Sequence, residues 1–416
     1  MFRFAPFALL AACITDPTPA PDPETATREL AATAAFSRAH VTGDIYHYEL
    51  VLPVGDGPNA ALRIHRVVRE IAPYIPRATR GGAMLLHGDF STFESSFLPG
   101  LASYLASREL DVWGLDRRWT IPGADDDISD LATMGVAQEI DDTRAALAFA
   151  RAVRGVSGAG ADKLALVGFS HGAQLAYAYA AVEAGRPAAQ RHVDAIVPLD
   201  FYASLPPEED AFRQTFCESS AFVYDLVAAG EIDFPNQFQI DVGTLALTAP
   251  DEVSPINPSF TNRTFMLRFI GQTYRIAPFT PLYHLGAPIL EGGAVVGLRE
   301  SSETAMATWL ADATVHQPLL EAADLDRLLC GEGTQPVNAP LSQIRVPVFY
   351  VGAAGGIGAL GLDATTRVSS TDVTTLIVQR FGPDRVAEDF GHTDLLFGND
   401  AQALAWQPIA SWLLHH

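Results

Sequence analysis

One pentapeptide in the chain has the makings of a nucleophile. Gly168-Phe169-Ser170-His171-Gly172 is its only Gly-x-Ser-x-Gly string. It stands between a short apolar run, Leu164-Ala165-Leu166-Val167, and a stretch of small residues that includes Gly172, Ala173, Ala176 and Ala178. The run reads as a strand buried on both faces, and the small-residue stretch as a helix. A sharp strand-to-helix turn pushes a serine side chain clear of a sheet. Its flanking residues must be small, because the backbone there runs close to its neighbours. The following helix aims backbone N–H groups at the same spot. A serine hydroxyl is a poor nucleophile at neutral pH. It needs a base within hydrogen-bond reach, and the base needs a partner that holds its tautomer. The chain offers 11 histidines and 49 acidic residues, and the elements that carry them decide which can meet Ser170.

Those elements follow one rhythm. His47 to Val54 and Ala61 to Val68 read as paired strands around the turn Gly55-Asp56-Gly57-Pro58. Ala83-Met84-Leu85-Leu86 is a buried strand ending in His87-Gly88-Asp89-Phe90, with a helix expected through Phe97, Leu101 and Leu105. Leu110 to Leu115 is the next strand. Val136, Ile140, Thr143 and Leu147 give the segment Asp130 to Val153 one apolar helical face. Val193 to Leu199 is a further strand, ending at Asp200. Strands alternating with helices imply an α/β fold, with a mostly parallel sheet of about eight strands flanked by helices. Between Phe201 and Leu341 lie roughly 140 residues, rich in Phe, too many for one strand–helix connection. They predict a large inserted cap. The sheet is expected to resume at Val346 to Val351, with a last strand at Asp384 to Asp389 and a closing helix over Asp400 to Leu414 that Pro408 interrupts.

The strand order, the Ser170 pentapeptide and His87-Gly88 together resemble the α/β-hydrolase superfamily over residues 46–200 and 343–416. The tail Gly391-His392-Thr393-Asp394-Leu395-Leu396-Phe397 is similar to the end of the acid-lipase group, where a catalytic His precedes x-Asp and apolar residues. The resemblance implies a chain order of Ser, acid, His. Among the later histidines, His192 opens a strand, His284 and His316 lie in the cap, and His415 and His416 end the chain, which leaves His392 as the base. The acid is expected after the strand Val346 to Val351. Asp363, in a loop with Gly355, Gly356, Gly358 and Gly361, is the expected residue, with Asp372 and Asp200 as alternatives. Asp372 reads equally as the cap of a following helix. The resemblance also implies an oxyanion hole made by the backbone N–H groups of Asp89 and His171, with the Asp89 carboxylate turned away from the developing charge. Asp116-Arg117-Arg118 reads as a structural ion-pair segment. The implied activity is a serine hydrolase that cleaves small carboxylic esters through an acyl-enzyme, without a cofactor. A peptidase or haloperoxidase using the same residues is an alternative, as is a non-catalytic lipoprotein that binds an apolar ligand in the cap cleft.

Composition narrows the partners. The formal net charge is −22, and Lys163 is the only lysine, so a general nucleic-acid role is excluded. Met1 to Ala12 carries Arg3 and then an apolar stretch too short to span a bilayer. It ends in Leu10-Ala11-Ala12-Cys13, which resembles a bacterial lipobox and implies export and a lipid anchor on Cys13. An alternating Pro tether, Asp16 to Pro23, follows. The expected division is 1–12 signal peptide, 13–45 tether and N-terminal segment, 46–200 and 343–416 core, and 201–342 cap. Export places Cys217 and Cys330 in an oxidising compartment, where a disulfide between them would tie the two ends of the cap. No run of Cys and His has the spacing of a metal site.

Overall fold

A computed structural model describes residues 36–98, 100–272, 283–331 and 339–416. The signal peptide, Cys13 and the Pro-rich tether lie outside the described residues. The strands are β1 (Phe36–Thr42), β2 (Ile45–Pro53), β3 (Ala61–Ala72), β4 (Ile75–Pro76), β5 (Gly81–Leu86), β6 (Leu110–Asp116), β7 (Leu164–Phe169), β8 (Val193–Leu199), β9 (Pro288–Glu291), β10 (Ala294–Leu298), β11 (Val348–Ala353) and β12 (Val373–Val378). The main sheet runs β1-β2-β3-β6-β5-β7-β8-β11-β12, with β4 paired to β3. β1, β2, β3 and β6 pair antiparallel; β6, β5, β7, β8, β11 and β12 run parallel. The central strands β5, β7 and β11 are buried at nearly every position, which is why they read as unbroken apolar runs.

Helices cover both faces. On one side lie α1 (Phe93–Phe97), α2 (Leu101–Ser107) and the C-terminal helix; on the other lie α3 (Val136–Ser157) and α4 (His171–Ala184). Between β8 and β11 the chain forms α5 (Asp210–Ala228), α6 (Gln237–Thr248), α7 (Asn262–Gly271), the β9–β10 hairpin, α8 (Glu303–Ala311) and α9 (Leu319–Cys330). Cys217 of α5 and Cys330 at the end of α9 are disulfide-bonded, with Cα atoms 5.0 Å apart. The chain closes with α10 (Leu362–Arg367), α11 (Asp394–Phe397) and α12 (Gln407–Leu413).

Several local expectations are corrected. Among the described residues, β1 (Phe36–Thr42) precedes the strand expected at His47 to Val54 and adds an exposed edge to β2. The expected helix past Phe97 is two helices, α1 and α2. The long helix starts at Val136, and Ser129–Thr133 form a separate 3₁₀ turn. Asp384 to Asp389 is not a strand: Pro383–Glu388 winds as 3₁₀ helix, opened by a proline that has no N–H for a ladder. The last strand is β12, a half-exposed edge that pairs with β11. Pro408 sits at the start of α12, directly after Gln402–Trp406, which winds as a π-helical turn.

Candidate active site

Ser170 caps α4 at the end of β7 with φ 56° and ψ −130°, a conformation that non-glycine residues seldom adopt. Both motif glycines are sterically required. A Cβ on Gly168 would overlap the Gly172 carbonyl, and one on Gly172 would overlap the Leu86 carbonyl at the end of β5. Gly88 is equally constrained, since a Cβ there would lie 2.8 Å from that of Ser170. The turn after β5 is thus packed directly on the serine. It carries Asp89, and His171 is the first residue of α4, where a backbone N–H has no intrahelical acceptor.

The two side chains flanking this point are joined. His171 Nδ1 pairs with Asp89 Oδ2, and Gln317 Nε2 donates to Asp89 Oδ1 at 2.6 Å. The Asp89 carboxylate is therefore held between an imidazole nitrogen and an amide. Burial raises the Asp89 pKa, but the His171 charge and hydrogen bond outweigh it and hold it below the ordinary value. Burial likewise lowers that of His171, and the Asp89 charge overrides this to raise it. Beneath the turn, Arg117 donates to the carbonyls of His87 at 2.9 Å and Gly88 at 3.0 Å while pairing with Glu321 of α9. Arg118 takes Asp142, and Asp116 takes the Phe93 N–H. The segment Asp116–Arg118 is indeed a set of ion pairs, and Arg117 also props the Gly88 turn.

His392 lies in the loop between the Pro383–Glu388 turn and α11. Its ring stacks on Phe169, with centroids 4.5 Å apart. Its backbone N–H donates to the carbonyl of His284, whose own N–H donates to Gly355. Asp394 fixes the loop: Oδ2 accepts from Gly391 N at 2.8 Å and Ala287 N at 2.7 Å, and Oδ1 accepts from Ser301 Oγ at 2.5 Å.

The carboxylate at His392 is that of Asp200, not Asp363. His392 Nδ1 lies 2.8 Å from Asp200 Oδ2. Asp200 ends β8, the neighbour of the strand that delivers Ser170. It adopts a φ of 49° and is fully buried. Three backbone donors surround it: Ala353 N and Gly358 N at 2.8 Å to Oδ1, and Ile357 N at 3.1 Å to Oδ2. A Cβ on Gly356 would fall on Asp200 Oδ2. The glycine-rich loop after β11 therefore receives a carboxylate instead of delivering one. Asp363, expected at this place, opens α10. It takes Arg367 Nε at 2.6 Å and Ser204 Oγ at 2.5 Å. Asp372 immediately precedes β12, next to His416 Nε2 at 3.0 Å. Because β12 runs parallel to the strand that ends at Ser170, its beginning lies on the opposite edge of the sheet.

Ser170 and His392 line one pocket of about 240 Å³, together with Gly88, Asp89, Phe90 and Phe169 from the core. Gln239, Phe269, Tyr283, Leu285 and Trp309 from the cap close it. The wall is mainly aromatic and aliphatic, with few polar groups, the usual make-up of a small-molecule site. Among the described residues, none that lines this pocket belongs to a group able to hold a metal ion.

No family model matches the sequence, and no curated protein matches it. Solved structures do match. One described as a lipase from Sulfolobus solfataricus superposes with a TM-score of 0.62 at 15% identity, over 92% of this chain and 99% of that one. A soluble variant of monoglyceride lipase from Saccharomyces cerevisiae gives 0.46 at 12% identity, over 91% of this chain and 94% of that one. Epoxide hydrolase A from Mycobacterium thermoresistibile gives 0.45 at 15%, over 92% and 98%. The last two superpose too loosely to bear on the site.

Proposed function

We propose that this chain, which has the α/β-hydrolase fold, is a serine hydrolase that cleaves carboxylic esters through an acyl-enzyme. The observation that carries the reading is Ser170, held at positive φ on the wall of a pocket shared with His392, with Asp200 at the far nitrogen of that imidazole. In this reading Ser170 Oγ attacks the ester carbonyl while His392 Nε2 takes its proton. Asp200 keeps the other proton on Nδ1 and stabilises the imidazolium that forms. The N–H groups of Asp89 and His171 receive the oxyanion. His392 then protonates the leaving alcohol, and water, activated by the same imidazole, clears the acyl group. The mainly apolar wall, with Phe90, Phe269, Leu285 and Trp309, favours an apolar acyl chain.

A fluorophosphonate probe should label Ser170, and Ser170→Ala should lose both the label and about 10⁴–10⁶ in turnover. A panel of chromogenic esters of increasing acyl length, run beside matched amides, reads the substrate class. Labelling that persists in Ser170→Ala overturns the assignment.

A further inference from the structure

We propose that His47 and His65, with Glu94 and Asp116 behind them, form a binding site for a divalent transition-metal ion of the zinc class. The site lies at the antiparallel side of the sheet, apart from the Ser170 pocket. His47 is on β2 and His65 on β3, where the register sets His47 opposite Val67 and His65 opposite Glu49. The two histidines are therefore diagonal neighbours on one face, within reach of each other. Glu94 reaches them from α1. One donor atom from each of His47, His65 and Glu94 lies within 4.8 Å of the other two.

The two rings bring their inner nitrogens together. His47 Nε2 and His65 Nδ1 face each other at 2.9 Å, in rings inclined by only 13°. The outer nitrogens each face a carboxylate. His65 Nε2 lies 3.2 Å from Asp116 Oδ2, and His47 Nδ1 lies 3.3 Å from Glu94 Oε1. Asp116 is itself fixed by the Phe93 N–H at 2.6 Å, and the His65 ring is clamped against Phe93 with centroids 4.6 Å apart. A carboxylate on the outer nitrogen of each imidazole fixes the tautomer and points a lone pair inward.

With both imidazoles neutral, the hydrogen-bond count of this row falls short by one. The row Glu94–His47–His65–Asp116 has three gaps, and each needs one N–H. Two neutral imidazoles supply two. One further proton on an imidazole would close the row, and so would a cation between the inner nitrogens, with both N–H groups on the carboxylates and both lone pairs on the ion. Imidazole nitrogen suits zinc, copper and nickel ions. Tetrahedral bonds of about 2.0–2.1 Å need the inner nitrogens roughly 3.3 Å apart, a small opening from the present separation. The Glu94 side chain, 55% exposed, opens the cluster to solvent at its rim.

The test is equilibrium dialysis and calorimetry with Zn²⁺ on the chelator-stripped full chain. Wild type should take up one equivalent and show a melting temperature raised by saturating Zn²⁺. Glu94→Gln, at the exposed rim, should bind at least about 10-fold more weakly, and the double variant His47→Gln/His65→Gln should lose the site. Equal uptake by wild type and the double variant overturns the proposal, as does loss of binding in a His415→Ala/His416→Ala variant. If the double variant does not fold, unchanged affinity in Glu94→Gln overturns it.

Discussion

Replacing Asp200 by Asn removes one negative charge and, with it, half of the acceptors in a site built only of donors. The carboxylate takes four N–H groups, two at each oxygen: Ala353 and Gly358 at Oδ1, His392 and Ile357 at Oδ2. An amide offers one oxygen. Whichever way it is turned, its NH₂ faces two further donors. With each buried donor left unpaired costing about 1–3 kcal/mol, the variant should lose about 2–6 kcal/mol of stability. If the NH₂ faces His392, the imidazole must put its lone pair on Nδ1 and its proton on Nε2. It then has nothing with which to accept the serine proton. Turnover should fall by about 10²–10⁴, equivalent to roughly 3–5 kcal/mol of barrier. Asp363→Asn weakens a pair with the exposed Arg367 and keeps an amide oxygen for Ser204, and it should stay near wild type in both respects. The assay is hydrolysis of a chromogenic ester by each variant at matched folded fraction, set by denaturant titration. A folded Asp200→Asn with wild-type turnover, or an Asp363→Asn that is as impaired as Asp200→Asn, refutes the assignment of the acid.

Three further outcomes are expected. Burial raises the Asp394 carboxyl from 3.8 to about 6, so the folded chain binds more protons than the unfolded one between these values. Stability should therefore fall as pH rises from about 4 to 6, by up to about 3 kcal/mol from this group. Asn fits here, with its oxygen toward Gly391 and Ala287 and its NH₂ toward Ser301, so urea titrations of Asp394→Asn should show a flatter slope across that window. Reducing the Cys217–Cys330 bond, or replacing both residues by Ser, should lower stability by about 2–4 kcal/mol, read by thermal denaturation with and without reductant. Metabolic labelling with a fatty-acid analogue in a bacterial host should tag the wild type but not Cys13→Ala; equal labelling of both would exclude the lipid anchor.

The parallel core was legible because β5, β7 and β11 are covered by helices on both faces, and a strand so placed must be apolar without interruption. β12 escaped because it is an edge: Val373-Thr374-Thr375-Leu376 is half-exposed, and Asp372 before it reads equally well as a helix cap. Ser170 was legible because its turn imposes a local steric rule on its neighbours. Asp200 imposes none. Its role comes from two segments far apart in sequence, the end of β8 and the loop 353–358, and glycine at Gly356 says only that something comes close. The ties of Asp89 to His171 and Gln317 were hidden for the same reason, because a backbone donor places no demand on the side chain beside it. His47 and His65 are meaningful only through the register of β2 on β3, which no linear spacing encodes.

The inserted segment is sewn to the machinery it covers. Gln317 holds Asp89, Glu321 holds Arg117 beneath the Gly88 turn, and the carbonyls of His284 and Leu285 take the N–H groups of His392 and Thr393. A protein engineer could not treat such an insertion as an exchangeable module. A cap transplanted from another enzyme, however well shaped for a new substrate, would leave the base loop without two acceptors and the Asp89 turn without its amide and its buried counter-charge. Substrate range in this architecture has to be altered from within, at pocket-wall positions such as Gln239 or Trp309 that are not among these ties.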